Sequence, residues 1–133
     1  MAKIQHVQNS AARLITGSLK FDHITPVLTD LHWLPVNKRI EFKIILTTYK
    51  SLNGTGPGYI TYLLELNTFG LRSGDDPMLL RKPRVRLLSY GQRAFSWAAP
   101  VLWNPLPSKL RMCSSVAAFR SKLKTFLFQQ YFG

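Results

Sequence analysis

Val36-Asn37-Lys38-Arg39-Ile40-Glu41-Phe42-Lys43-Ile44-Ile45-Leu46-Thr47-Thr48-Tyr49-Lys50-Ser51-Leu52 is the stretch that decides the fold class. Val36, Ile40 and Ile44 recur every four residues, and Phe42, Ile45, Leu46 and Tyr49 widen the apolar stripe to more than half the circumference of a helix. Pro35 stands where a helix opens and Asn53-Gly54 where one stops, so the spacing predicts a helix over 36–52. An apolar face this wide belongs at the centre of a core.

On the amino-terminal side, Ile4, Val7, Ala11, Leu14 and Ile15 fall at helical spacing and Gly17 stands where that helix would end. Thr25-Pro26 has the form of an N-cap followed by proline at the first helical position, favouring a short helix through Val27, Leu28 and Leu31. On the carboxyl-terminal side, Gly54-Thr55-Gly56-Pro57-Gly58 is a turn by composition; no Lys-Ser or Lys-Thr follows it and no strand precedes it, so it is not a phosphate loop. Tyr59 to Leu66 suggests a short helix carrying Ile60, Leu63 and Leu64. Residues 67–78, with Gly70, Gly74, Asp75, Asp76 and Pro77, read as a flexible connector.

Beyond it, Val85 to Leu88 can hold a short strand, and Gly91 to Ala98 a helix ended or kinked by Pro100. Pro105 and Pro107 prevent regular structure until Ser114 or Ser115 caps a last helix. That helix puts Val116, Phe119, Leu123, Phe126, Leu127 and Tyr131 on one face, with Arg120 inside it and obliged to extend its stem to water. The expected fold is mainly α: a small irregular helical domain with Pro/Gly-rich loops and at most one short strand or hairpin. Its expected parts are a helical half over 1–66, the connector over 67–78, and a basic strip plus carboxyl-terminal helix over 79–133.

The 133 residues suffice for one domain, which at this size buries about two-thirds of the unfolded chain's surface. A hydrophobic fraction of 46% is too high for a disordered tail, although eighteen Lys and Arg against six Asp and Glu give a net charge of +12. Such a field attracts nucleic acid, anionic membrane or acidic protein without choosing among them. The single Cys113 excludes an intrachain disulfide, and His6, His23 and His32 are too scattered for a zinc knuckle or finger, so no metal or cofactor is expected. No apolar run approaches the roughly 20 residues of a membrane span. The opening Met1-Ala2-Lys3-Ile4-Gln5-His6 lacks the apolar core of a signal peptide, which implies an intracellular place, nuclear or cytoplasmic.

Two phrases are specific enough to suggest a family. The first is Leu31-His32-Trp33-Leu34-Pro35-Val36 with Lys38-Arg39-Ile40, Phe42-Lys43-Ile44 and Thr48-Tyr49-Lys50. The second is Tyr90-Gly91-Gln92-Arg93-Ala94-Phe95-Ser96 running into Ala98-Ala99-Pro100 and Leu102-Trp103-Asn104-Pro105-Leu106-Pro107. With Val7-Gln8-Asn9-Ser10-Ala11-Ala12-Arg13-Leu14-Ile15 before them and Phe119-Arg120-Ser121-Lys122-Leu123-Lys124 after, they cover nearly the whole chain. In this order they resemble the extreme carboxyl-terminal region of LINE-type (non-LTR) retrotransposon polyproteins, which follows the reverse transcriptase domain. The resemblance implies a segment that accompanies a polymerase without being one.

Polymerisation requires paired carboxylates that hold two metal ions. The one adjacent acidic pair, Asp75-Asp76, sits in a Ser-Gly-Asp-Asp-Pro turn without the Tyr and strand flanks of the family's catalytic motif, and it reads as a solvated turn. Asp22-His23, and Asp30 near His32, lack a nucleophile elbow or an oxyanion setting, so they read as loop and capping residues. No catalytic residue is expected.

The positions with chemical content are Arg81, Lys82, Arg84 and Arg86, continued by Arg93 and interleaved with Tyr90, Phe95 and Trp97. Lysine and arginine release counterions from phosphates, while aromatic rings stack on unpaired bases. Pro83 keeps the run extended. The alternative is a solvated loop beside a core that claims Phe95, Trp97 and Trp103, and these aromatics suit a core better than base stacking. Lys38 joins the basic set of the central helix, in which Arg39, Lys43 and Lys50 share a face; this is a second candidate contact or simply a core helix's solvated side. The terminal helix, with Phe119, Phe126 and Phe128, has the composition of a membrane-surface or groove-binding helix, but packing inside the domain is its simpler fate.

The expected function is that of a non-catalytic accessory segment binding RNA or DNA in a salt-sensitive, non-specific way, with a reverse transcriptase domain as the partner the resemblance implies. A truncated element remnant without independent function and a co-opted protein-interaction domain are the alternatives.

Overall fold

The computed structural model describes residues 1–67, 78–84, 91 and 93–133. Its helices are α1 (Ala2–Thr16), α2 (Ile24–Asp30), α3 (Val36–Leu52), α4 (Gly58–Thr61), α5 (Phe95–Trp103), α6 (Ser108–Arg111) and α7 (Val116–Phe132). Among the described residues, the β pairing is an isolated antiparallel bridge between Leu66 and Leu80, so the fold is mainly α. The strand expected over 85–88 lies outside the described residues. The chain forms two contact units, Met1–Phe42 with Leu123–Gly133, and Lys43–Lys122. This division falls inside α3 and α7; of the predicted connector, 68–77 lie outside the described residues.

In the first unit, α1 ends as its sequence requires. Gly17 takes a left-handed conformation (φ 68°), and the Ser18 N–H returns to the Arg13 carbonyl at 3.2 Å. The buried face of α1 is not the predicted one. Gln8 and Ala12 are buried, while Ile4, Val7, Leu14 and Ile15 are exposed, Leu14 at 86%. The cause is a demand for hydrogen bonds at the start of α3. Gln8 Nε2 donates to the Leu34 carbonyl at 2.9 Å, and Gln5 Oε1 accepts the Val36 N–H at 2.8 Å, an amide of α3's first turn without an intrahelical acceptor. Left buried and unpaired, such groups would cost about 1–3 kcal/mol each; with its amide side inward, α1 pairs both.

The start of α2 also departs from expectation. His23 is the N-cap, and Thr25 and Pro26 both lie inside the first turn, where the missing proline N–H has no intrahelical acceptor to lose. Val27 and Leu28 join Ala12 in a core flanked by Ile24, Leu31, Trp33 and Phe132. The helix closes on a non-glycine residue: His32 adopts φ 53°, its N–H bonds the Thr29 carbonyl at 3.0 Å, and the Trp33 N–H bonds the Leu28 carbonyl at 2.9 Å. This is a Schellman end with histidine where glycine is usual, and the His32 ring stacks on Phe128 with centroids 5.6 Å apart.

In the second unit, the apolar side of α3 places Tyr49 against Phe119 of α7, with ring centroids 4.0 Å apart and planes within 8°. Trp103 of α5 completes the cluster at 6.5 Å from Tyr49 and 6.0 Å from Phe119. All three are fully buried. The Tyr49 hydroxyl donates to the Cys113 carbonyl at 2.5 Å. Of the two outcomes expected at Pro100, an end or a kink, the end does not occur. The helix runs through it to Trp103, losing the hydrogen bond that Pro100 cannot donate and burying the ring instead. The irregular stretch predicted before Ser114 contains α6, and the helix over Tyr59–Leu66 is confined to α4, because Leu66 leaves it to pair with Leu80. Ser115 caps α7, its Oγ accepting the Ala118 N–H at 3.2 Å. Arg120 points to solvent and needs no extended stem.

Candidate nucleic-acid interface

Arg81, Lys82, Pro83 and Arg84 follow the Leu66–Leu80 bridge as an exposed segment without regular secondary structure. Pro83 has no N–H to offer a neighbouring strand. The segment is held at its root. Leu80 is buried; the Asn67 N–H reaches the Leu79 carbonyl and the Arg81 N–H reaches the Glu65 carbonyl, both at 2.8 Å. Asn104, just beyond α5, takes both backbone groups of Leu80: its Nδ2 donates to the carbonyl at 2.8 Å and its Oδ1 accepts the N–H at 2.9 Å. The Trp103 indole N–H donates to the Met78 carbonyl at 2.7 Å. The backbone before the cations is thus fixed, and Arg81, Lys82 and Arg84 are exposed.

Arg81 lies 3.6 Å from the Glu65 carboxylate, with both side chains more than half exposed. A pair of this kind contributes less than about 1 kcal/mol and is screened by salt, so a phosphate can exchange with it. Arg93 is also exposed, in the same unit. Arg86 and Tyr90 lie outside the described residues, as do Asp75 and Asp76. Of the central-helix cations, Lys43 is exposed and Lys50 half-buried in the second unit, whereas Arg39 is exposed in the first. Lys38 is engaged with Glu41 at 2.8 Å.

The aromatic residues sort by burial. Trp103 belongs to the core, and Phe95 and Trp97 are half-buried. Two tyrosines that sequence reading passed over are open instead: Tyr59 is 72% and Tyr62 89% exposed. Their signal was a three-residue spacing directly after Gly58, the last residue of the turn.

Sequence reading also passed over Arg111. Its guanidinium is buried and Nη1 donates to the carbonyls of Trp103, Asn104 and Leu106, which neutralises the negative end of α5. This arginine is structural, in contrast to those of the strip. Burial pushes the Tyr49 hydroxyl above its ordinary pKa, with the Cys113 thiol as a smaller cause.

No protein-family model, curated protein or solved structure matches the chain. Its own chemistry therefore carries the functional reading. Among the described residues, no three His, Cys, Asp or Glu side chains gather as metal ligands, and no helix is long and apolar enough to cross a membrane. What the arrangement offers is a rooted, exposed row of cations.

Proposed function

We propose that the chain is a nucleic-acid-binding accessory segment, akin to the region after the polymerase in LINE-type retrotransposons, non-catalytic itself and serving to hold template RNA or target DNA. The observation that carries this is the anchoring of Leu80 by Asn104, which presents Arg81, Lys82 and Arg84 outward. A net charge of +12 supplies the long-range attraction. Four phosphate contacts, from these three and Arg93, give a slope of log affinity against log salt of roughly −3 on a single strand. Fluorescence anisotropy titration at several salt concentrations tests this. Absent or salt-insensitive binding by folded protein contradicts it.

A second reading, a protein-interaction domain, is favoured by one specific feature, the exposed stripe of Ile4, Val7, Leu14 and Ile15 on α1. Pull-down from nuclease-treated lysate separates the two, because partners retained after nucleic acid is removed require a protein surface.

A further inference from the structure

Among the described residues of the second unit, Tyr59 and Tyr62 are the most exposed aromatic side chains. They follow α4's opening Pro57, three residues apart, and Leu63 and Leu66 beside them are also exposed. The unit has a closed aromatic core of Tyr49, Trp103 and Phe119 that these two do not join. Leu66 lies four positions beyond Tyr62, a reach of at most about 14 Å, and it pairs directly with Leu80, the residue before the cations. The same limit applies from Leu80 to Arg84. The Glu65–Arg81 pairing ties the two segments a second time.

A purely apolar partner would fit the tyrosines but leave the arginines desolvated without counter-charge. Duplex nucleic acid would satisfy the cations but present its base faces to one another, leaving nothing for the rings to stack on. Unpaired bases on a phosphate backbone answer both features, because every base has a π-face and every nucleotide a charge.

Resting on the nucleic-acid role above, we infer that Tyr59 and Tyr62 are base-stacking platforms beside the Arg81–Arg84 strip and that the ligand is a single strand of RNA or DNA. The phosphates lie along Arg81, Lys82 and Arg84, and one or two bases leave the stack to lie on the rings.

The test is an anisotropy titration of the full chain with oligouridylate, oligothymidylate and a duplex of matched phosphate count, repeated for Tyr59→Leu/Tyr62→Leu and Tyr59→Phe/Tyr62→Phe. Circular dichroism confirms that each variant is folded. A single strand should bind more tightly than the duplex. The leucine variant should bind it about five- to a hundredfold more weakly with the salt slope unchanged, and the phenylalanine variant should stay close to the parent. Equal binding of duplex and single strand, with the leucine variant unaffected, overturns the inference and leaves the nucleic-acid role standing. A leucine variant whose salt slope also falls overturns it too, because the tyrosines would then act by positioning the cations. Failure of the parent to bind any nucleic acid removes both.

Discussion

Asn104 completes both backbone hydrogen bonds of Leu80 with one side chain, donating from Nδ2 at 2.8 Å and accepting at Oδ1 at 2.9 Å. An amide is the side chain with donor and acceptor side by side, so it serves Leu80 as a neighbouring strand would. The pairing fixes where the Arg81–Arg84 strip leaves the core. Asn104→Ala leaves a partly buried donor and acceptor unpaired and should cost about 1–3 kcal/mol. Asn104→Asp keeps the acceptor, loses the donor and brings a carboxylate beside the Leu80 carbonyl, so it should not rescue. Urea denaturation of the two variants checks both outcomes.

Gly56 and Gly58 should respond oppositely to alanine. A Cβ on Gly56 would sit 2.8 Å from the Ser51 backbone nitrogen and 2.9 Å from its Cα, whereas a Cβ on Gly58 meets nothing within 4 Å. Gly56→Ala should therefore destabilise by about 1–3 kcal/mol through overpacking against backbone. Gly58→Ala, at the first position of α4, should stabilise by about 0.4–1 kcal/mol by restricting the unfolded chain. Thermal melts of the two variants decide it.

Tyr49 should make the fold sensitive to alkali. Its pKa is raised by burial first and by Cys113 second, so the folded state keeps the proton at pH values where the unfolded chain has begun to lose it. The stability it contributes is complete below the unfolded value of 10.0 and is lost as pH rises from there through the folded value. Tyr49→Phe should remove that part of the decline, at a cost of about 1 kcal/mol for the unpaired Cys113 carbonyl. Urea midpoints for parent and variant, measured from neutral pH to above 10.0, should converge as pH rises.

The orientation of α1 is open to an equally simple check. Val7→Ser and Leu14→Ser, on the exposed side, should change stability by no more than about 0.5 kcal/mol. Ala12→Leu, at a fully buried site, should cost about 1–3 kcal/mol. Equal losses for all three in chemical denaturation would place the predicted apolar stripe in the core after all.

What the sequence disclosed was local. The span of α3, the glycine end of α1 at Gly17 and the serine cap of α7 depend on neighbours within a turn, and periodicity with capping chemistry recovers them. The inward side of α1 is tied to Leu34 and Val36, more than twenty residues away, whose backbone groups Gln8 and Gln5 pair. The course of α5 through Pro100 and the bending of Leu66 out of α4 answered to tertiary packing in the same way. At the candidate interface, the run Arg81, Lys82, Arg84 was legible as charge alone. Its anchor at Asn104, and the open rings of Tyr59 and Tyr62, were not, because burial separates a stacking ring from a core ring and composition does not. Arg111 shows the converse, a cation that reads as surface and serves the core.

The most direct measurement is the salt dependence of single-strand binding by the parent chain and by the triple variant Arg81→Gln/Lys82→Gln/Arg84→Gln. A parent slope of roughly −3 should fall to about −1 when three phosphate contacts are removed, with the helical circular dichroism unchanged. Two folded proteins with the same slope would contradict the account, because the strip would then hold no phosphate.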